Sequence, residues 1–155
     1  MDFGEPEHIG MLRGSVRRML ERHATREMMA KWDEEDKVPR SLMQHITELG
    51  VCGMTIPEEY GGTGRDILGA MVTVEELSRR SMVIGTLYLM NACYGSMNIL
   101  ASGSDGQKRR LLPKLANGEL LFAYGLSEPD VGSDLASVKT RAERRGDKIV
   151  INGYK

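Results

Sequence analysis

Phe122-Ala-Tyr-Gly-Leu-Ser-Glu-Pro-Asp-Val-Gly-Ser-Asp134 is the stretch on which the reading of this chain turns. The apolar run from Leu120 to Tyr124 predicts a buried strand, and it stops abruptly in a polar loop. Pro129 biases Glu128 towards an extended or turn conformation. Gly132 permits close backbone approach or a positive φ, and Ser133 adds an N–H and a hydroxyl. Such a loop can hand several donors to an anion or a heteroaromatic ring, as phosphate cradles do. A plain surface loop after an edge strand would have the same composition. The residues alone allow both.

Outward towards the N-terminus the pattern is helical. Asn117-Gly118 closes the helical region, and Ser104-Asp-Gly-Gln107 reads as a capping box opening a helix that Pro113 kinks or restarts. Met82 to Ala101 is apolar nearly all round and predicts the buried central helix of a bundle. Asn91, Tyr94, Ser96 and Asn98 argue against a membrane span there. From Asp66 to about Arg79 the stripe Ile67, Ala70, Met71, Val74, Leu77 faces inward, leaving Glu75, Glu76, Arg79 and Arg80 outside. Glu58-Glu-Tyr-Gly-Gly-Thr-Gly64 has no Lys-Ser/Thr after its glycines, so it reads as a sharp turn and not a phosphate loop. Val51 to Pro57 reads as extended. A helix from about Pro39 buries Leu42, Met43, Ile46 and Leu49 and ends at Gly50. Asp33-Glu-Glu-Asp36 reads as an exposed helix end or loop. Between Glu5 and Arg22, Ile9, Leu12, Val16, Met19 and Leu20 form a helical stripe, with Arg13, Arg17, Arg18 and Glu21 on a solvated face.

Downstream of Glu119 short β-rich runs alternate with turns: Leu120 to Ser127, Ser137 to Glu143, and Lys148 to Ile151. Gly146-Asp147 suits a hairpin turn between the last two. The expected fold is mainly α, with a helical bundle over 1–118. The opening strands of an incomplete β-barrel-like domain follow over 119–155. Three strands leave open edges and cannot bury both faces. The chain therefore reads as a fragment of something longer.

Bulk properties narrow the function. A net charge of −1 over 155 residues gives no electrostatic footprint for nucleic acid. Cys52 and Cys93 are far apart without a CxxC, and His8, His23 and His45 fall in no HExxH, so no metal site is expected. The acidic N-terminus shows no signal-peptide core, which points to the cytoplasm.

Tyr124-Gly-Leu-Ser-Glu-Pro-Asp-Val-Gly-Ser-Asp134, followed by Lys139-Thr140, Gly146-Asp147 and Ile151-Asn-Gly-Tyr-Lys155, resembles the middle-domain signature of the acyl-CoA dehydrogenases. Ile56-Pro-Glu-Glu-Tyr-Gly-Gly62 and Gly103-Ser-Asp-Gly-Gln-Lys108 are similar to two further landmarks of that family, in the right order. The resemblance implies an all-α domain followed by a β domain and a C-terminal helical domain. It implies α,β-dehydrogenation of an acyl-CoA thioester, with a carboxylate base taking the α-proton while the β-hydride passes to N5 of FAD.

By position in the motif, the resemblance sets Tyr124, Leu126 and Ser127 beside the isoalloxazine ring. It sets Gly132 and Ser133 at the pyrophosphate, with Ser133 also near the acyl-CoA. Ser127 stands where the family more often has threonine, and Asp130-Val131 replaces a commoner small pair. Counting back from Gly103, the central helix would offer Thr86, Leu87, Met90 and Tyr94 to the acyl tail, or these are ordinary bundle core. The catalytic base is expected beyond Lys155, so residues 1–155 alone should be inert. Lys155 itself is expected to be structural. An electron-transferring flavoprotein or similar acceptor and a homo-oligomer, dimer or tetramer, are implied for the whole enzyme. Acyl-CoA oxidases and nitroalkane oxidases share the fold, and a non-catalytic helical interaction module is the reading from another class.

Overall fold

The computed structural model describes residues 4–155. They divide into two compact units, Met1–Ala123 and Tyr124–Lys155.

In the first unit, α1 (Glu7–His23) buries Ile9, Val16, Met19 and Leu20, the inward stripe of its sequence. Thr25 then caps α2 (Arg26–Glu34) by accepting the Met28 amide at 3.3 Å. No residue of α2 is buried, and Asp33 to Asp36 are exposed, as an acidic helix end should be. Helix α3 (Arg40–Glu48) buries Leu42, Met43 and Ile46. Val51 to Pro57 is not extended as expected. Short 3₁₀ turns at Val51–Gly53 and Glu58–Tyr60 carry this segment through the core. Val51, Cys52 and Ile56 are fully buried, and with no neighbouring strand their backbone bonds close locally, as in Ile56 N–H to the Gly53 carbonyl at 3.0 Å.

Helix α4 (Ile67–Arg80) starts on Asp66, whose carboxylate accepts the Gly69 amide at 2.8 Å. Its buried arc differs from the expected stripe. Ile67 and Met71 are exposed, whereas Val72, Thr73 and Glu76 lie inside with Ala70 and Leu77. The cause is packing against α1 on one side and α5 on the other, which buries a different arc from the one apolar count alone selects. Of the expected solvated face, Arg17 is exposed but Arg13 is largely buried. Both bind the Glu76 carboxylate, Arg17 through Nε and Nη2 at 2.7 Å each.

The apolar stretch after Ser81 is a run of α5 (Met82–Tyr88), a π-helical segment (Leu89–Gly95) and α6 (Ser96–Ser102). It is buried on one side only. Ile84, Tyr88 and Ala92 enter the main core, with the Tyr88 hydroxyl donating to the Val51 carbonyl at 3.0 Å. Met82, Val83, Leu87, Tyr94 and Met97 are exposed, so the central helix is apolar all round without being enclosed all round. Helix α7 (Asp105–Ala116) carries the expected capping box of Ser104 and Gln107 and continues unbroken past Pro113. Its Leu112 and Leu115 build a second, smaller core with Ile56. Buried Asn91 ties this end together, donating to the Leu115 carbonyl and accepting the Phe122 amide, both at 3.2 Å.

The second unit contains one antiparallel hairpin, β1 (Arg141–Arg145) with β2 (Lys148–Asn152), in register Arg145 to Lys148 and Arg141 to Asn152. Gly146 takes φ 62 at the first turn position, as a two-residue hairpin loop of this kind requires. The strand expected from Leu120 to Ser127 forms no ladder, and a 3₁₀ turn at Leu135–Ser137 delays the next strand to Arg141. Among the described residues no β ladder includes 120–127, and a strand needs a partner strand.

Candidate functional site

Within the second unit the loop from Leu126 to Asp134 is held by one carboxylate. Glu128 and Val131 exchange backbone bonds, N–H to O at 3.0 and 3.1 Å, which closes a four-residue turn around Pro129-Asp130. Glu128 Oε2 accepts the Lys139 amide at 2.8 Å. Oε1 accepts the Thr140 amide at 2.9 Å and the Thr140 hydroxyl at 2.6 Å, with Lys155 Nζ at 3.1 Å. The Thr140 hydroxyl and the Lys139 amide hold this carboxyl down to about 2. Lys155 Nζ also donates to the Leu126 carbonyl at 2.9 Å. Lys139 Nζ reaches Asp130 Oδ2 at 2.9 Å. A Cβ on Gly153 would lie 2.0 Å from Thr140 Oγ1, so only glycine lets that hydroxyl sit under Glu128. Lys139-Thr140, Gly153 and Lys155, scattered in the sequence, thus serve one clasp.

The clasp leaves the outward face of the turn unspent. Among the described residues the amides of Leu126, Ser127, Gly132 and Ser133 donate to no protein acceptor, and neither serine hydroxyl is bonded. Ser127, Gly132 and Ser133 are exposed, as is Tyr124. A Cβ on Gly132 would meet nothing within 4 Å, so its value is open space and not a positive φ. This stretch thus carries several amide and hydroxyl donors without acceptors among the described residues, with open space beside Gly132. That donor set suits a phosphate-bearing group or the rim of a heteroaromatic ring.

Glu128 was expected only as a turn residue, and it is the anchor of the whole arrangement. A carboxylate that already accepts two amides and a hydroxyl beside a lysine has little basicity left. The clue in the sequence was the spacing of Lys139-Thr140 and Gly153-Tyr-Lys155 after the loop. No local rule links those residues to Glu128.

In the first unit, Thr86, Leu87 and Tyr94 are exposed and Met90 is half-buried. With Val83 and Met97 they form an open, largely apolar face along α5, the π segment and α6. Leu87 alone of the four also lines an apolar cavity of about 300 Å³ with Leu42, Ile46, Val83 and Leu121. Among the described residues no cluster of three or more histidines, cysteines or acids is placed to hold a metal ion, and no helix is long and apolar enough to cross a membrane. Both thiols are buried, and desolvation pushes Cys52 up to about 11.

A family model described as acyl-CoA dehydrogenase, N-terminal domain, matches residues 6–119. A (2S)-methylsuccinyl-CoA dehydrogenase of Cereibacter sphaeroides is 37% identical over 152 residues, covering 98% of this chain and 28% of the relative. A solved glutaryl-coenzyme A dehydrogenase in complex with glutaryl-CoA superposes with a TM-score of 0.91 at 35% identity, over 99% of this chain and 39% of that one. A glutaryl-CoA dehydrogenase of Mycobacterium smegmatis in complex with FADH2 gives 0.88 at 28% identity, over 96% and 38%. The chain thus spans well under half the length of each of these proteins.

Proposed function

Because this chain belongs to the acyl-CoA dehydrogenase family, we propose that it supplies the N-terminal helical domain and the cofactor-gripping turn of an FAD-dependent oxidoreductase. The proposed reaction is α,β-dehydrogenation of an acyl-CoA thioester. FAD, when bound, supplies the acceptor for the β-hydride. This chain's share is to hold and polarise. The observation that carries the reading is the row of donors at Leu126, Ser127, Gly132 and Ser133 that have no acceptor among the described residues, on a turn fixed by Glu128.

In this reading the Leu126 and Ser127 amides and the Ser127 hydroxyl face the isoalloxazine edge, beside Tyr124. Gly132 and Ser133 face the diphosphate, and Ser133 also serves the acyl-CoA. Thr86, Leu87, Met90 and Tyr94 give an apolar, water-excluding wall to the acyl chain. No acid of this chain acts as base. Glu128 is spent on its clasp, and the base comes from sequence beyond Lys155. An electron-transferring flavoprotein or similar acceptor, a homo-oligomeric whole enzyme and a cytoplasmic setting complete the proposal.

The test is flavin content and spectroscopy of the whole protein that carries these residues. The expected parent is yellow, and the flavin band bleaches when acyl-CoA is added. Gly132→Val fills the open space at that residue and should lower FAD affinity by about tenfold or more, equivalent to one charge-assisted hydrogen bond, with helical content unchanged. A colourless parent, or a Gly132→Val protein with parental affinity, overturns the assignment.

A further inference from the structure

Lys155 does two things at once in the second unit. Its Nζ lies 3.1 Å from Glu128 Oε1 and donates to the Leu126 carbonyl at 2.9 Å. The side chain is only 32% exposed and that of Glu128 only 5%. The carboxylate therefore does more than balance the ammonium's charge. It fixes where the ammonium sits, because the Lys139 and Thr140 amides and the Thr140 hydroxyl fix the carboxylate.

The Leu126 carbonyl and the Ser127 N–H belong to one peptide group. A cation on the oxygen draws electron density through the amide and makes the N–H at its other end a stronger donor, since hydrogen bonds in a chain polarise one another. That N–H has no protein acceptor among the described residues. We propose that Lys155 is a tuning and positioning residue, whose ammonium polarises the Leu126–Ser127 peptide so that the Ser127 N–H favours a ring gaining negative charge. This rests on the flavin reading given above. It adds that Lys155, a residue not expected to touch the ring, raises its reduction potential.

The charge and not the bulk should matter. Lysine to methionine keeps the stem and removes the ammonium, whereas lysine to arginine keeps the charge and two or more donors. In the whole holoprotein, Lys155→Met is expected to shift the flavin midpoint potential to a more negative value. It should also weaken FAD binding about threefold to tenfold, within the range of one hydrogen bond's net contribution. Lys155→Arg should stay close to the parent on both measures. A Lys155→Met protein with parental potential overturns the proposal, and so does an arginine variant that shifts as far as methionine. The apo protein gives an independent readout. Base-catalysed hydrogen exchange at Ser127, whose N–H has no acceptor among the described residues, should be slower in Lys155→Met than in the parent, because the peptide loses the cation that makes that N–H more acidic. If the parent binds no FAD, the flavin reading fails. Equal exchange in the two apo proteins would then also remove Lys155 from any role in the turn.

Discussion

At the scale of single residues the least legible feature was Glu76. In sequence it sits among Glu75, Arg79 and Arg80 and reads as part of a polar face. In the fold its side chain is 3% exposed and takes both Arg17 and Arg13. Nothing local announces this, because the partners lie about sixty residues upstream on another helix. The arginine hydrogen bonds hold the Glu76 carboxyl down to about 2, from an ordinary 4.5. The depressed value means the folded state resists protonation. Its stabilisation is complete above about 4.5 and is lost as the pH falls towards 2. Glu76→Gln should cost roughly 2 kcal/mol near neutral pH, the scale of hydrogen bonds to a charged group. It should also flatten the stability profile across that acidic window. Denaturant titrations of parent and variant at a series of pH values would check both. Parallel profiles would refute the ion cluster.

At the scale of elements, periodicity located α1, α3, α4 and the capping box of α7 well. It failed where neighbours decide the outcome. The 26–34 helix went unread because it is short and only partly buries Met29 and Trp32 against the main core. The 120–127 stretch was read as a strand on composition, yet a strand exists only with a partner. Val51 to Pro57 is apolar because it crosses the core, not because it is in a sheet. The Gly61-Gly62 turn that follows shows how tightly that crossing is packed. A Cβ on Gly62 would stand 1.9 Å from the Ile56 carbonyl oxygen, a backbone atom with no rotamer to yield. Gly62→Ala should therefore destabilise by about 1–3 kcal/mol or more, as overpacking does, and lower the melting temperature. Gly10→Ala, with nothing within 4 Å, is the matched control and should be neutral or stabilising. Equal melting of the two variants would show that the close approach is not real.

At the scale of the molecule, the turn's donors and the fold class were readable because the motif residues lie close together in sequence. The clasp behind them was not, because Glu128, Thr140 and Lys155 meet only in three dimensions. The two units also differ in how much they hide. The first owns two buried clusters, around Val16, Leu77 and Tyr88 and around Ile56, Leu112 and Leu115. In the second, β1 is exposed throughout, and Ile149, Ile151 and Tyr154 are 69–76% exposed. A two-stranded hairpin without a covered face is marginal in water. In residues 1–155 alone, amides of β1 and β2 should exchange at nearly unprotected rates, while those around Leu77 and Tyr88 are strongly protected. Uniform protection would contradict the division. The unequal burial also has a meaning for biosynthesis. At about 5–20 residues per second, the ribosome releases the helical unit, up to Ala123, before β1 and β2, and its two buried clusters need neither strand. Val83, Leu87 and Met97 are exposed on that unit, and such apolar side chains are what a nascent-chain chaperone would bind.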